Sequence, residues 1–135
     1  MKEEYEIKSN MFYTKEHTWA ELITDGTVKT GVTDYAQKKL REVIFCELPH
    51  IGDEVKQMEP AGSIESVKAI SDVYSPITGK VKKVNRELIS KPSLANSDPY
   101  GAGWMLVVYP NKLAEELRNL LTPESYRIMI KKSGE

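Results

Sequence analysis

The segment of this chain best suited to chemistry is Glu65-Ser66-Val67-Lys68-Ala69. Two apolar, strand-like arms flank it, Ala61-Gly62-Ser63-Ile64 before and Asp72-Val73-Tyr74-Ser75 after. That pattern predicts Lys68 at or beside the tip of a tight hairpin. A modifying ligase needs a primary amine on an exposed, rigidly presented loop, and the four-carbon lysine stem adds reach and rotation. Composition alone points lower, because turns are polar and exposed and a turn lysine is ordinarily a solvated cation. The other reactive side chains form no constellation. His17 and His50 are distant in sequence and poorly accompanied, so no metal site is expected; His17 reads as a structural hydrogen-bonding group and His50 as a loop residue. Cys46 lies in an apolar run and reads as buried and inert. Trp19 and Trp104 read as core aromatics, and Lys80 to Lys83 as the solvent face of a strand. No nucleophile–base pair is legible, so no catalytic residue is expected.

The elements that must position Lys68 fit one domain, since 135 residues lies within the usual range of roughly 100–150. The reading is a single domain over 1–135, with 1–11 an N-terminal extension and 110–135 forming C-terminal helices packed on a β core. A formal net charge of −1 offers no general attraction for nucleic acid or an anionic membrane. The single cysteine excludes an internal disulfide and any multi-cysteine zinc site, and it fits a reducing compartment. No apolar run approaches the roughly 18–20 residues that span a bilayer. Met1 to Asn10 mixes three glutamates with two lysines and resembles neither a secretory signal nor a transit peptide. The expectation is a soluble cytoplasmic protein without nucleic-acid or membrane partners.

From Phe12 to Tyr109 the chain reads as short strands between turn residues. Asp25-Gly26 is a strong hairpin signal before Thr27 to Val32. Thr33 or Asp34 can cap a short helix through Leu40, followed by an apolar strand from Val43 to Leu48. Gly52 to Leu88 is punctuated about every ten residues, as in barrels and sandwiches. It carries a faint repeat, with Gly52-Asp53-Glu54-Val55-Lys56 and Gly79-Lys80-Val81-Lys82-Lys83 each placing a glycine before a valine-bearing strand. Ser90 to Gly103 reads as a long loop, and Trp104 to Tyr109 as a buried strand. Pro110-Asn111 opens a predicted helix with Leu113, Leu117, Leu120 and Leu121 on one face. Thr122-Pro123 starts another, with Thr122 as cap. The class is mainly β: a flattened barrel or sandwich of short strands, with a lysine-bearing hairpin, one short internal helix and C-terminal helices.

The run from Gly62 to Val81, G-S-I-E-S-V-K-A-I-S-D-V-Y-S-P-I-T-G-K-V, closely resembles the lipoylation segment of glycine cleavage system H proteins. Tyr13 to Trp19 is similar to that family's H-x-W strand. Gly31 to Leu40 with Val43 to Pro49 resembles its strand–helix–strand core, and Lys91 to Trp104 its closing loop. The match is collinear from about Tyr13 to the C-terminal helices, which is far more specific than any one motif. Biotin carriers place methionine on both sides of the lysine, whereas Val67 and Ala69 stand here. Lipoyl domains of 2-oxoacid dehydrogenases usually show Asp before the lysine and lack the H-x-W strand.

The resemblance implies a lipoyl/biotinyl-carrier-like fold and a non-catalytic carrier with lipoate joined to Lys68 through an amide, and Glu65, Ser66, Val67 and Ala69 as the recognition loop. It implies four partners: the pyridoxal-phosphate-dependent P protein, the T protein with tetrahydrofolate, the flavin-containing L protein, and a lipoate ligase or a lipoyl/octanoyl transferase. A monomer is the family expectation. The resemblance also implies a surface cleft for the amine-loaded arm, with Asp72 a candidate to pair with the amine. The family's second carboxylate lies between the motif His and Trp, where this chain has Thr18. Glu16 is a candidate substitute, on the expectation that residues 16 and 18 face the same side of a strand. Two alternatives stand beside the glycine-cleavage carrier: an H-like relay supplying lipoyl groups to other enzymes, and an unmodified binding domain.

Overall fold

The computed structural model describes residues 4–133. Two antiparallel sheets face each other. The larger contains β1 (Phe12–Tyr13), β2 (Thr18–Leu22), β3 (Val28–Val32), β5 (Glu54–Val55), β8 (Gly79–Val84) and β9 (Leu106–Pro110), in the order β1-β2-β3-β9-β8-β5. The smaller is β4-β6-β7, from β4 (Val43–Glu47), β6 (Pro60–Ser66) and β7 (Ile70–Tyr74). The architecture is therefore mainly β and sandwich-like, as the sequence pattern suggests, with the sheets left unclosed.

Local chemistry explains the turns. At the β2–β3 hairpin Gly26 takes φ 90°, a left-handed conformation that glycine adopts without a Cβ clash. The Asp25 carboxylate accepts from the Thr27 N–H at 3.0 Å and the Thr27 hydroxyl at 2.6 Å. Those two bonds, with the Lys82 ammonium at 3.2 Å, hold the Asp25 carboxyl down to about 2. The helix α1 (Asp34–Leu40) is capped by Thr33, whose hydroxyl accepts from the Ala36 N–H at 3.2 Å. The faint repeat also has a structural counterpart. β5 and β8 pair with each other, Glu54 opposite Lys80 and Val55 opposite Gly79.

Between the sheets lies one apolar core, in which Cys46, Ile64 and Val73 of the small sheet join Val28, Val81 and Val108 of the large one. Each valine and isoleucine among them contributes about 1.5–3 kcal/mol through removal from water. Burial also pushes the Cys46 thiol up to about 11, consistent with an inert residue. A second cluster holds Met11, Tyr13, Trp19, Tyr100, Tyr126 and Ile130. Trp19 lies across Gly31, where an added Cβ would sit 2.9 Å from the indole ring. Its Nε1–H donates to the carbonyls of Val32 and Pro99 at 3.0 and 3.1 Å.

Several elements differ from the sequence reading. The helix expected from Pro110 is short: α4 spans Leu113–Glu116, and a 3-10 turn occupies Leu117–Asn119. Leu121 is extended because its N–H and C=O both bond to the backbone of Tyr13, at 2.7 and 2.9 Å. That long-range pairing overrides the leucine periodicity. The next helix, α5 (Pro123–Ser133), begins where expected, with Thr122 accepting from the Ser125 N–H. The stretch read as a loop holds the end of α2 (Arg86–Ser90) and the single turn α3 (Leu94–Ser97). In the strand expected over Trp104 to Tyr109, Trp104 is only half-buried and Tyr109 is exposed. Residues 4–11 are docked on the domain. Tyr5 and Ile7 pack against the second cluster, the Tyr100 hydroxyl donates to the Glu6 carbonyl at 2.6 Å, and the Glu6 N–H donates to Asp34 at 2.8 Å. The outer ends of the 1–11 and 110–135 segments, residues 1–3 and 134–135, lie outside the described residues. Among the described residues, no helix is long and apolar enough to cross a membrane.

Candidate functional site

β6 and β7 form the expected hairpin, in register from Ser63 opposite Asp72 to Glu65 opposite Ile70. Val67, Lys68 and Ala69 make its tip, and all three are exposed. A two-residue hairpin loop normally uses a primed turn, with positive φ at one or both central residues and hence Gly, Asn or Asp. Val67 and Lys68 both keep negative φ; among the non-glycine residues described, positive φ occurs only at His17, Arg41 and Met58. The tip is held instead by Ser66. Its N–H donates to the Ala69 carbonyl at 2.8 Å. Its hydroxyl oxygen accepts from the N–H groups of Lys68 and Ala69 at 3.3 and 3.2 Å, and lies 3.3 Å from the Ala69 carbonyl, to which it donates. Ser66 is 3% exposed, so its hydroxyl sits beneath the exposed tip it binds.

The strand register aligns two rows across the outer face of the small sheet. Phe45, Glu65 and Ile70 form one row, and Glu47, Ser63 and Asp72 the next. Side chains on alternate residues share a face, so both rows point the same way. The apolar members are unusually bare for their type. Phe45 is 51% exposed and Ile70 70%, with Val67 at 77% on the tip. Beside these rows runs a groove of about 720 Å³ whose walls include Glu47, His50, Asp53, Ser63, Ile70 and Asp72. His50 and Asp53 brace its rim: the His50 N–H donates to the Asp53 carboxylate at 2.9 Å. Gly62 lies along the groove where β6 comes close to β4, and a Cβ there would sit 2.4 Å from the Glu47 carbonyl oxygen.

Asp72 lines the groove beside the lysine hairpin. Glu16 and Thr18 do not line it. The idea that they share a strand face needs correction, because the chain reverses over residues 14–17. The Thr14 N–H donates to the Thr18 carbonyl at 2.9 Å, the His17 N–H to the Thr14 carbonyl at 3.1 Å, and His17 has φ 69°. β2 begins only at Thr18. Glu16 is an exposed turn residue, whereas Thr18 is buried, its hydroxyl 2.8 Å from that of Thr14. His17 takes the structural place expected of it. Its Nδ1 lies 2.9 Å from the Tyr126 hydroxyl, its ring stacks on Tyr35, and burial holds its pKa below the usual imidazole value. Sequence reasoning missed Glu47, Ile70 and the groove itself. Alternation along β4 could have put Phe45 and Glu47 on one face, but their register against β6 cannot be read from the chain. Among the described residues, no group of three or more His, Cys, Asp or Glu could hold a metal ion.

Comparison with known proteins agrees with this geometry. A family model described as glycine cleavage H-protein matches residues 11–133. The chain is 49% identical over 128 residues to a probable glycine cleavage system H protein of Pyrococcus abyssi, covering 95% of each. It is 45% identical to the glycine cleavage system H protein of Carboxydothermus hydrogenoformans, covering 96% of this chain and 98% of that one. Among solved structures, a glycine cleavage system H protein from Mycobacterium marinum superposes with a TM-score of 0.85 at 33% identity, covering 93% of this chain and 99% of the other.

Proposed function

The chain belongs to the glycine cleavage H-protein family, and on that premise we propose that it is the lipoyl carrier of glycine cleavage, with Lys68 as the attachment residue. The observation that carries the assignment is the position of Lys68, exposed on a hydrogen-bonded hairpin tip beside a groove that mixes apolar and acidic walls. The residues present suit the group. An amide bond to Nζ removes the lysine charge, and the long stem leaves the attached group free to reach outward or turn back toward the groove. Once bound, the lipoyl disulfide supplies the reactive sulfurs that take up the aminomethyl group of glycine.

The protein's own residues hold and protect. The hairpin fixes the base of the arm, and the groove offers Ile70 and Ala61 as apolar walls. Asp72 is the carboxylate for the amine of the loaded arm, and Glu65, Val67 and Ala69 are the surface read by the attaching enzyme, a lipoate ligase or a lipoyl/octanoyl transferase, while Ser66, also expected in that surface, is buried beneath it. Bond-making belongs to the partners, so the chain is a non-catalytic, monomeric and cytoplasmic component. The P protein decarboxylates glycine, the T protein passes the one-carbon unit to tetrahydrofolate, and the L protein reoxidises the dithiol. Covalent attachment raises the effective concentration of the cargo at each of these sites.

The test is intact mass after incubation with a lipoate–protein ligase, lipoic acid and ATP. The chain should gain one lipoyl group, and Lys68→Arg should gain none. Uptake at another lysine would overturn the assignment of Lys68. No uptake by the unaltered chain would favour an unmodified binding domain. Full lipoylation without support of glycine decarboxylation by P and T proteins would favour the lipoyl relay.

A further inference from the structure

We infer that Ser66 is a positioning residue for acylation of Lys68: its buried hydroxyl holds the Val67–Lys68 tip in the single conformation that presents the amine to the attaching enzyme. The inference rests on the carrier function above and names a residue that makes it work. Its basis is the way the hairpin closes. The last registered pair is Glu65 opposite Ile70, and beyond it the Ala69 N–H goes to the Ser66 hydroxyl and not to the Ser66 carbonyl. With negative φ at Val67 and Lys68, the tip is not one of the primed two-residue turns that close on backbone bonds alone. The Ser66 hydroxyl helps close it by accepting from two successive N–H groups, those of Lys68 and Ala69, and donating to the Ala69 carbonyl. Serine side chains are well suited to such local bonds with nearby backbone. The hydroxyl itself is buried, with Ser66 3% exposed, so its place beneath the tip is fixed by packing, and its removal leaves two tip amides without that partner.

The chemical consequence concerns the amine. Lys68 is exposed, and its side chain makes no hydrogen bond or ion pair among the described residues that would fix its direction. The stem rotates freely, so only its origin and its Cα–Cβ direction are fixed, and the Ser66 hydroxyl binds the backbone that fixes them at the Lys68 N–H itself. A loosened tip still displays a lysine, but spreads it over several orientations. Loss of a near-attack geometry slows an enzymatic transfer far more than it slows a small reagent that can approach from any side.

Three proteins distinguish this from a packing role: the wild type, Ser66→Ala, and Ser66→Cys, which nearly keeps the volume but offers only a weak acceptor. The ligase with lipoic acid and ATP should lipoylate both variants about 10-fold more slowly in kcat/KM. Acetylation of Lys68 by a small active ester, read by peptide mass, should proceed at the wild-type rate. Amide exchange should accelerate at Lys68 and Ala69 in both variants, with β6–β7 pairing still protected. Wild-type lipoylation kinetics in Ser66→Ala would overturn the inference, and so would a slow Ser66→Ala beside a wild-type-like Ser66→Cys, which would mark the effect as packing. An unaltered chain that takes up no lipoyl group would overturn the carrier function and this inference together; one that takes it up while both variants match it overturns this inference alone.

Discussion

Replacing Gly62 by alanine sets two effects of opposite sign against each other. Gly62 has no positive φ, so alanine fits its backbone, and the reduced freedom of the unfolded chain would by itself stabilise by about 0.4–1 kcal/mol. Against this, the new Cβ would sit 2.4 Å from the Glu47 carbonyl oxygen, and ordinary contact begins at 3.4 Å. The strands must therefore separate by about 1 Å. The obstacle is backbone, so no side-chain rotation relieves it. β4 is the edge strand of its sheet and can yield only by loosening its pairing at Glu47 and Ser63, next to the core residues Cys46 and Ile64. Overpacking of this kind costs about 1–3 kcal/mol, which exceeds the entropic gain at all but its lower end. With about 2.1 cal/mol/K of unfolding entropy per residue, a net loss of 2 kcal/mol in a chain of this length lowers Tm by about 7 °C. Scanning calorimetry of Gly62→Ala measures that shift, and amide exchange locates it. A Tm within 1 °C of wild type, or a fall with β4–β6 amides still fully protected, would refute the close-approach argument.

Asp72→Asn should leave folding and lipoylation intact but hasten loss of the aminomethyl group from the loaded arm. Asp72 is exposed, so the pairing is worth about 0.2–1 kcal/mol and the acceleration is at most about 5-fold, shrinking as salt is added; an unchanged rate of ammonia release would remove Asp72 from the cleft. Stability should fall in two stages on acidification. Burial lowers the folded pKa of His17, so the unfolded chain binds the extra proton first, and stability declines as pH drops below about 6.5 and levels off once the folded imidazole titrates. For Asp34 burial works to raise the carboxyl, but bonds from the Glu6 N–H, Gln37 and Lys38 outweigh it and hold the group low, so its contribution is lost only as pH falls from about 3.9 through the folded value. Urea midpoints from pH 8 to about pH 2 measure both stages, and His17→Gln should flatten the first; a first stage that survives in His17→Gln belongs to another group.

Legibility in the sequence followed the range of the interactions. Local chemistry was readable: the Asp25-Gly26 turn, the cap at Thr33, the start of α5 after Thr122 and the hairpin around Lys68 each depend on residues within a few positions. α3 was not, because four residues are too few to display a 3.6-residue period, and Asn96 ties it to its neighbours by bonding to Gln37, Arg41 and Val43. The leucine pattern after Pro110 misled for a similar reason, since Leu121 answers to Tyr13 and not to its own helix. Glu16 was misplaced because a strand was carried through the reversal at residues 14–17. The groove could not be foreseen at all. Its walls come from four separate segments, around Glu47, Asp53, Gly62 and Asp72, brought together only by register.

The hydrogen bond between His17 and Tyr126 joins positions 109 residues apart, and Tyr13 stacks on the same tyrosine with ring centroids 4.6 Å apart. During synthesis at about 5–20 residues per second, the first buried aromatics wait roughly 5–20 s for the helix that covers them. The lysine hairpin needs no such wait, because both strands lie within Pro60–Tyr74. The nascent chain therefore holds the Lys68 hairpin well before Tyr13 and His17 have their partner, and α5 closes an aromatic cluster whose His17 lies 109 residues before Tyr126.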